Sequence, residues 1–276
     1  MPTLCEFDIT QRSINFPRPF VGRPRIAHGL REIDMANDEN IRISSTYQNV
    51  TRSSVDCNII TWADTTLLSA ASDVLALAPG ELDILTGEHM RCLWKNPTAP
   101  AWVRIEFERP FETPPKVAVF LNCVDLEKSH NWRVQTFASD ISVDGFILYV
   151  GTDPDIDHDS TFLAARVGWI AYPEDRANIF TTTISTTDVR TADKPELLCR
   201  KEIPFDSSEN RLGGKPAFRR TPSVFIALNS FNIDCHYNLR INAYVDNVTT
   251  NGLAWHIDSW EDSVIYSAGA TVIAFN

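Results

Sequence analysis

The stretch PSVFIALNSFNIDCHYNLR, running from Pro222 to Arg240, decides how this chain is read, because its frame occurs three times. Pro24-Arg25-Ile26 is followed by Ile33-Asp34 and then by Asn40-Ile41-Arg42. Pro115-Lys116-Val117 is followed by Val124-Asp125 and Asn131-Trp132-Arg133. Pro222-Ser223-Val224 is followed by Phe231-Asn232 and Asn238-Leu239-Arg240. From proline to arginine the distance is 18 residues each time: 24 to 42, 115 to 133 and 222 to 240. A period of this kind is the signature of a repeat architecture and takes precedence over local propensity.

The copies stay in step outward from this frame. Upstream, Phe16–Phe20 matches Phe107–Phe111. Downstream, Asn49-Val50-Thr51 and Asn247-Val248-Thr249 correspond. So do Thr61-Trp62-Ala63-Asp64-Thr65 and Ser259-Trp260-Glu261-Asp262-Ser263, with 20 residues from arginine to tryptophan in both (42 to 62, 240 to 260). The middle copy passes through Gly145-Phe146 and carries four extra residues before His158-Asp159-Ser160-Thr161. Turn signals at Pro79-Gly80 and Pro173-Glu174-Asp175 place the repeats at 1–78, 79–173 and 174–276.

Within each copy the apolar period is two. Val117, Val119 and Leu121 alternate with less apolar positions, as do Phe146, Leu148 and Val150, and Leu253, Trp255 and Ile257. Short alternating runs bounded by Pro, Gly, Asn and Asp predict half-buried antiparallel strands, and helical spacing is nowhere sustained. Five or six such strands must bury one face against another sheet, so each repeat is expected to be a small β-sandwich. In the third copy Ile241, Ala243 and Val245 point one way and Arg240, Asn242 and Tyr244 the other. Arg240, like Arg42 and Arg133, is therefore expected to face away from its own core. It would serve an inter-repeat ion pair, to Asp34, Asp125 or another residue across the interface, or a ligand, or both.

Bulk properties bound the function. The 276 residues are 43% hydrophobic and 22% charged, which suits a folded chain of two or three small domains. No apolar run reaches the length of a membrane span, and Met1–Glu6 lacks the pattern of a secretory signal. A net charge of −11 opposes binding to phosphate backbones and anionic surfaces. The one basic cluster, Lys215 to Arg220, is broken by Pro216 and Phe218 and reads as a solvated loop. Of six cysteines none forms a CxxC pair and none recurs between copies, which favours free thiols in a reducing compartment. The expectation is a cytoplasmic chain, or one released without a classical signal.

No HExxH, GxSxG or Walker pattern is present. A repeated sandwich with no unique acid pair argues against a glycosidase. Asp153, Asp155 and Asp157 have the spacing of calcium ligands, but His158 stands where an EF-hand needs glycine and Ala164 where it needs glutamate. The favoured reading is an acidic solvated loop, with a weak irregular calcium site as the alternative. No cofactor or metal is expected. The sequons at Asn49 and Asn247 follow from the repeat and read as structural.

The strings from Asn238 to Arg240, Asn247 to Leu253 and His256 to Gly269 resemble the H-type lectin domain, and the resemblance extends over most of each repeat. It implies an all-β chain of three tandem six-stranded antiparallel β-sandwiches arranged as an intramolecular pseudo-trimer. It further implies a sugar-binding protein rather than an enzyme, with terminal N-acetylgalactosamine or galactose of glycans and glycoproteins bound at the seams between repeats, and leaves room for further self-association. Carried over, the arginines are Arg42, Arg133 and Arg240. The tryptophan of the family falls on Trp62 and Trp260 but on Asp157 in repeat 2. Its histidine falls on His158, but on Ala63 and Glu261 in the others. The following tyrosine falls on Tyr266, but on Leu68 and Leu163 elsewhere. Asp64, Asp159 and Asp262 complete the set. No repeat keeps every residue, and the sites using Trp260, Glu261 and Tyr266 are expected to be the most competent. The competing reading is a structural or protein-binding scaffold with lapsed sugar sites. The two differ in whether the three arginines lie free in clefts or are locked in ion pairs.

Overall fold

The computed structural model describes residues 7–152, 162–205 and 218–276. These contain seventeen strands and one short 3-10 turn. Repeat 1 contributes β1 (Phe7–Asn15), β2 (Arg25–Met35), β3 (Ile41–Gln48), β4 (Ser54–Trp62) and β5 (Leu67–Leu77). Repeat 2 contributes β6 (Leu85–Cys92), β7 (Trp102–Glu106), β8 (Lys116–Leu126), β9 (Trp132–Ser142), β10 (Gly145–Gly151) and β11 (Phe162–Tyr172). Repeat 3 contributes β12 (Ile179–Ser185), β13 (Arg200–Pro204), β14 (Ser223–Ile233), β15 (Leu239–Asp246), β16 (Gly252–Asp258) and β17 (Ile265–Phe275). Repeats 2 and 3 thus have six strands each, and the described residues of repeat 1 have five.

The strands form three antiparallel sheets, and every sheet crosses a seam between repeats. Their orders are β1-β4-β3-β8-β11-β6, β12-β17-β14-β9-β10-β7 and β13-β16-β15-β2-β5. The joins are β3 on β8, β9 on β14 and β15 on β2. Repeat 1 therefore pairs with 2, 2 with 3 and 3 with 1, which closes the chain into a ring. Each repeat lends one half to each of two sheets, and those two halves pack face to face as its sandwich.

The recurrent arginine is a register marker. Across the three joins Arg42 lies opposite Asp125, Arg133 opposite Asn232 and Arg240 opposite Asp34. The polar residue lies 10 positions after its proline in every copy (24 to 34, 115 to 125, 222 to 232). The proline-to-arginine frame thus encodes both halves of each join. Two β-bulges recur as well. One sets Arg31, Asn122 and Asn229 out of register; the other does so to Leu68, Leu163 and Tyr266. A bulge re-aims the residue it displaces, so these last three, the family's tyrosine position, are turned out of the regular strand alternation in all three copies.

The repeated Asn-x-Thr stretches are turns. Asn49, Asp140 and Asn247 all adopt positive φ (50°, 46° and 50°), the left-handed region that Asn and Asp tolerate best. Two residues on, Thr51 Oγ1 accepts from the Ser54 amide at 2.9 Å and Thr249 Oγ1 from the Gly252 amide at 3.2 Å. The sequons read as structural from the sequence do serve the hairpins from β3 to β4 and from β15 to β16.

Most buried apolar side chains of the three sandwiches form one continuous core, and a second cluster fills the centre where β2, β8 and β14 meet. At the fifth residue after each proline the three copies carry Gly29, Phe120 and Ala227. A Cβ added at Gly29 would lie 2.4 Å from the Ala227 Cβ and 3.1 Å from Phe120. Two residues earlier the copies carry Ala27, Ala118 and Phe225, and Phe225 meets Phe120 edge-on at 4.9 Å. Phe, Ala and Gly at one level fill the centre where three identical residues would collide or leave a void. Joining the copies in one chain allows each to take its own size there. The five described cysteines form no disulfide.

Candidate functional site

Each seam sets an arginine of one repeat across from a carboxylate or amide of the next, and at the seams of Arg42 and Arg240 the loop after β4 or β16 closes over the arginine. At the seam of repeats 3 and 1, Arg240 is the second residue of β15, with its side chain 9% exposed. Its Nη1 reaches Asp262 Oδ1 at 2.6 Å and its Nη2 reaches Glu261 Oε2 at 2.7 Å. Both carboxylates are more than half exposed, at 62% and 69%. Across the join, Nε faces Asp34 Oδ1 at 3.6 Å, too long for a hydrogen bond. Burial raises the Asp34 carboxyl above the usual aspartate range, and the Arg240 charge and a hydrogen bond with the Trp260 side chain only partly offset that.

The loop is held so that these groups converge. Ser259 Oγ donates to the Arg240 carbonyl at 2.7 Å, and Ser263 Oγ donates to that of Asn238. Glu261 sits at φ 56°, and its counterpart Ala63 at φ 60°. Such a left-handed residue turns the chain sharply enough to bring the next carboxylate back over the arginine. Trp260, just before the turn, is partly buried.

The seam of repeats 1 and 2 copies this plan with fewer groups. Arg42 Nη1 pairs with Asp64 and donates to Thr65 Oγ1 at 3.2 Å, while Nε faces Asp125 Oδ1 at 3.7 Å. The bond from Arg42 holds the Asp64 carboxyl below its usual range. Asp125 is nearly buried, and burial pushes its carboxyl up to about 6 against the pull of Arg42. Ala63 supplies no counterpart to Glu261. Trp62 ends β4 and is partly buried.

At the seam of repeats 2 and 3, Arg133 Nε donates to Asn232 Oδ1 at 3.1 Å. Tyr266, in the bulge of β17, donates to Asp234 Oδ2 at 3.0 Å. Asp234 also accepts from the His236 ring at 2.5 Å. Burial pushes the Asp234 carboxyl up, but the bonds from His236 and Tyr266 outweigh it and hold the group below the usual range. The Cys235 thiol lies close enough to make Asp234, Cys235 and His236 a metal-sized group, within 4.8 Å of one another. Asp157, His158 and Asp159, with the acidic loop from Asp153, lie outside the described residues.

The strand pairing sets Trp260 and Tyr266 at different seams, a pairing the sequence reading left open. Glu261 and Asp262 gather on Arg240 at the seam of repeats 3 and 1, and the Trp260 side chain bonds Asp34 across it. Tyr266 lies in β17, on the half-sheet that meets repeat 2. Tyr266 thus lies in the half-sheet that joins the strand of Arg133, and Leu68 in the one that joins the strand of Arg240. Both Arg42 and Arg240 are held in ion pairs rather than lying free. No local pattern marks this division, because the direction in which the ring closes is not written in any one repeat.

A search of the curated proteins returns no match. A sequence model of the H-type lectin domain matches residues 11–77, 102–172 and 215–275. One match falls in each repeat, leaving out β6, β12 and β13, and together they span well over half of the sequence. The chain therefore belongs to the H-type lectin domain family, a family of non-catalytic carbohydrate-binding domains.

Proposed function

We propose that this protein binds glycans ending in N-acetylgalactosamine or galactose at the seams between its repeats, without catalysis, and that the seam of repeats 3 and 1 is the most competent. The observation that carries the reading is the Arg240 cluster. There a nearly buried guanidinium fixes two exposed carboxylates, Glu261 and Asp262, beside the partly buried ring of Trp260. Carboxylates held this way keep lone pairs directed outward for sugar hydroxyls, and charge-assisted bonds of this kind are the strong ones. An indole face suits the C–H side of a galactose ring.

The seam of repeats 1 and 2 offers Asp64 and Trp62 and ranks second. That of repeats 2 and 3 offers Tyr266, Asp234 and Asn232 beside Arg133. Each contact to a monosaccharide is weak, so useful affinity rests on several seams engaging one clustered glycan.

The scaffold reading is favoured by the ion pairs of Arg42 and Arg240 and by leucine in two of the three bulge positions. A glycan array separates the two. The wild-type chain is expected to bind terminal N-acetylgalactosamine or galactose, with signal reduced in Glu261→Gln and Asp262→Asn and less so in Asp64→Asn. A blank array from folded protein rejects the lectin reading in favour of the scaffold.

A further inference from the structure

β5 has the composition of an interior strand and the position of an edge strand. Its counterparts β11 and β17 are paired on both sides: β11 lies between β8 and β6, β17 between β14 and β12. β5 is paired only with β2, and among the described residues no strand stands where β6 and β12 stand in the other sheets. The consequence shows in burial. Nine of the eleven residues of β11 are buried and eight of the eleven of β17, but only two of β5, Leu75 and Leu77. Yet β5 reads Leu67-Leu68-Ser69-Ala70-Ala71-Ser72-Asp73-Val74-Leu75-Ala76-Leu77, with eight apolar residues of eleven.

Edge strands are ordinarily protected by lysine, proline, shortness or a cover. β5 is eleven residues long and has neither lysine nor proline. Its one charge is turned inward: Asp73 accepts the Ile226 amide at 3.0 Å and pairs with Arg31 at 3.2 Å. A long, apolar edge whose one charge is already paired is a template for a further strand.

We propose that this edge is an interaction surface for a second copy of the chain, joined β5 to β5 about a two-fold axis. Two observations select that occupant. First, β6 and β12 meet their neighbours antiparallel, and two copies of β5 related by a two-fold axis are antiparallel by symmetry. Second, the strand is compatible with itself: a register centred on Ser72 sets Leu67 against Leu77 and Asp73 against Ala71, so no like charges meet. The pairing would fuse two five-stranded sheets into one of ten and set the seams of two molecules on one particle. It stands apart from sugar binding.

The test is sedimentation equilibrium of the full chain across a wide concentration range, with hydrogen exchange followed by mass spectrometry. Expected is a mass twice the 31.1 kDa of the chain, with amides of 67–77 becoming protected as concentration rises. Ala70→Pro and Ala71→Pro lie in a regular stretch between the bulges. Because N–H groups alternate between the two sides of a strand, one of the two leaves the ladder to β2 intact. That variant is expected to keep the wild-type unfolding transition and to remain monomeric. The proposal is overturned by a chain that stays monomeric, by a dimer that persists in the folded proline variant, or by amides of 67–77 already protected in the monomer.

Discussion

Arg133 donates from Nε to the side-chain oxygen of Asn232 at 3.1 Å, where the two equivalent arginines face carboxylates, Arg42 at Asp125 and Arg240 at Asp34. One structural position thus exists in two electrostatic forms within a single molecule. The amide makes a true hydrogen bond. Each carboxylate is held at 3.6 to 3.7 Å, and the facing Oδ1 of Asp34 and of Asp125 makes no hydrogen bond among the described residues.

A stability prediction follows for Asp125. Its carboxyl is raised to about 6 by burial, so over the acid range the folded state holds a proton that the unfolded chain has released. Stability therefore falls as pH rises from about 4 to about 6 and is flat above that. Asp125→Asn, which copies Asn232, is expected to remove the dependence. The expected gain is on the order of 1–3 kcal/mol at pH 7 and little at pH 4. Urea unfolding of both chains at the two pH values checks this. Equal gains at both would locate the effect elsewhere.

The packing at the centre predicts a non-additive pair. Gly29→Ala drives a methyl group to 2.4 Å from the Ala227 Cβ and is expected to cost roughly 1–3 kcal/mol. Adding Ala227→Gly is expected to restore most of that loss, because it vacates the space the new methyl needs. Thermal unfolding of the two single variants and the double variant measures the coupling. Additive losses would mean that the three strands do not share this space.

Ala63 holds φ 60° in the loop after β4 and is exposed. An alanine there bears the cost of the left-handed region that glycine escapes. Ala63→Gly is expected to stabilise the chain by about 0.5–1 kcal/mol, net of the entropy that glycine adds to the unfolded state. The same exchange at Ala70, in the regular part of β5, is expected to destabilise. Denaturant midpoints of the two variants give the comparison.

Much of the architecture was legible in the sequence because it is encoded redundantly. The 18-residue frame from Pro24, Pro115 and Pro222 appears three times, and alternation such as Leu253, Trp255, Ile257 reports a buried face directly. The recurrent arginine was recognisable as a residue for an ion pair or a ligand, with Asp34 and Asp125 named among the candidates across the interface; that its short ion pairs run to Asp64, Glu261 and Asp262 of its own repeat was not. Two things were not legible. That Tyr266 serves a different seam from Trp260 depends on which half of repeat 3 meets which neighbour, a long-range choice that no local pattern records. That β5 lacks an outer neighbour concerns a missing strand, and its apolar composition conceals the gap by imitating its paired counterparts.

The central claim, that sugar binds at the seams, is tested most directly by titrating the chain with N-acetylgalactosamine while observing the indole N–H resonances of its seven tryptophans. The account predicts a saturable shift of Trp260, a weaker one of Trp62, and no change at Trp132 and Trp255, which are fully buried in the core. Silence at Trp260 and Trp62, or shifts confined to surface tryptophans such as Trp94, would contradict it.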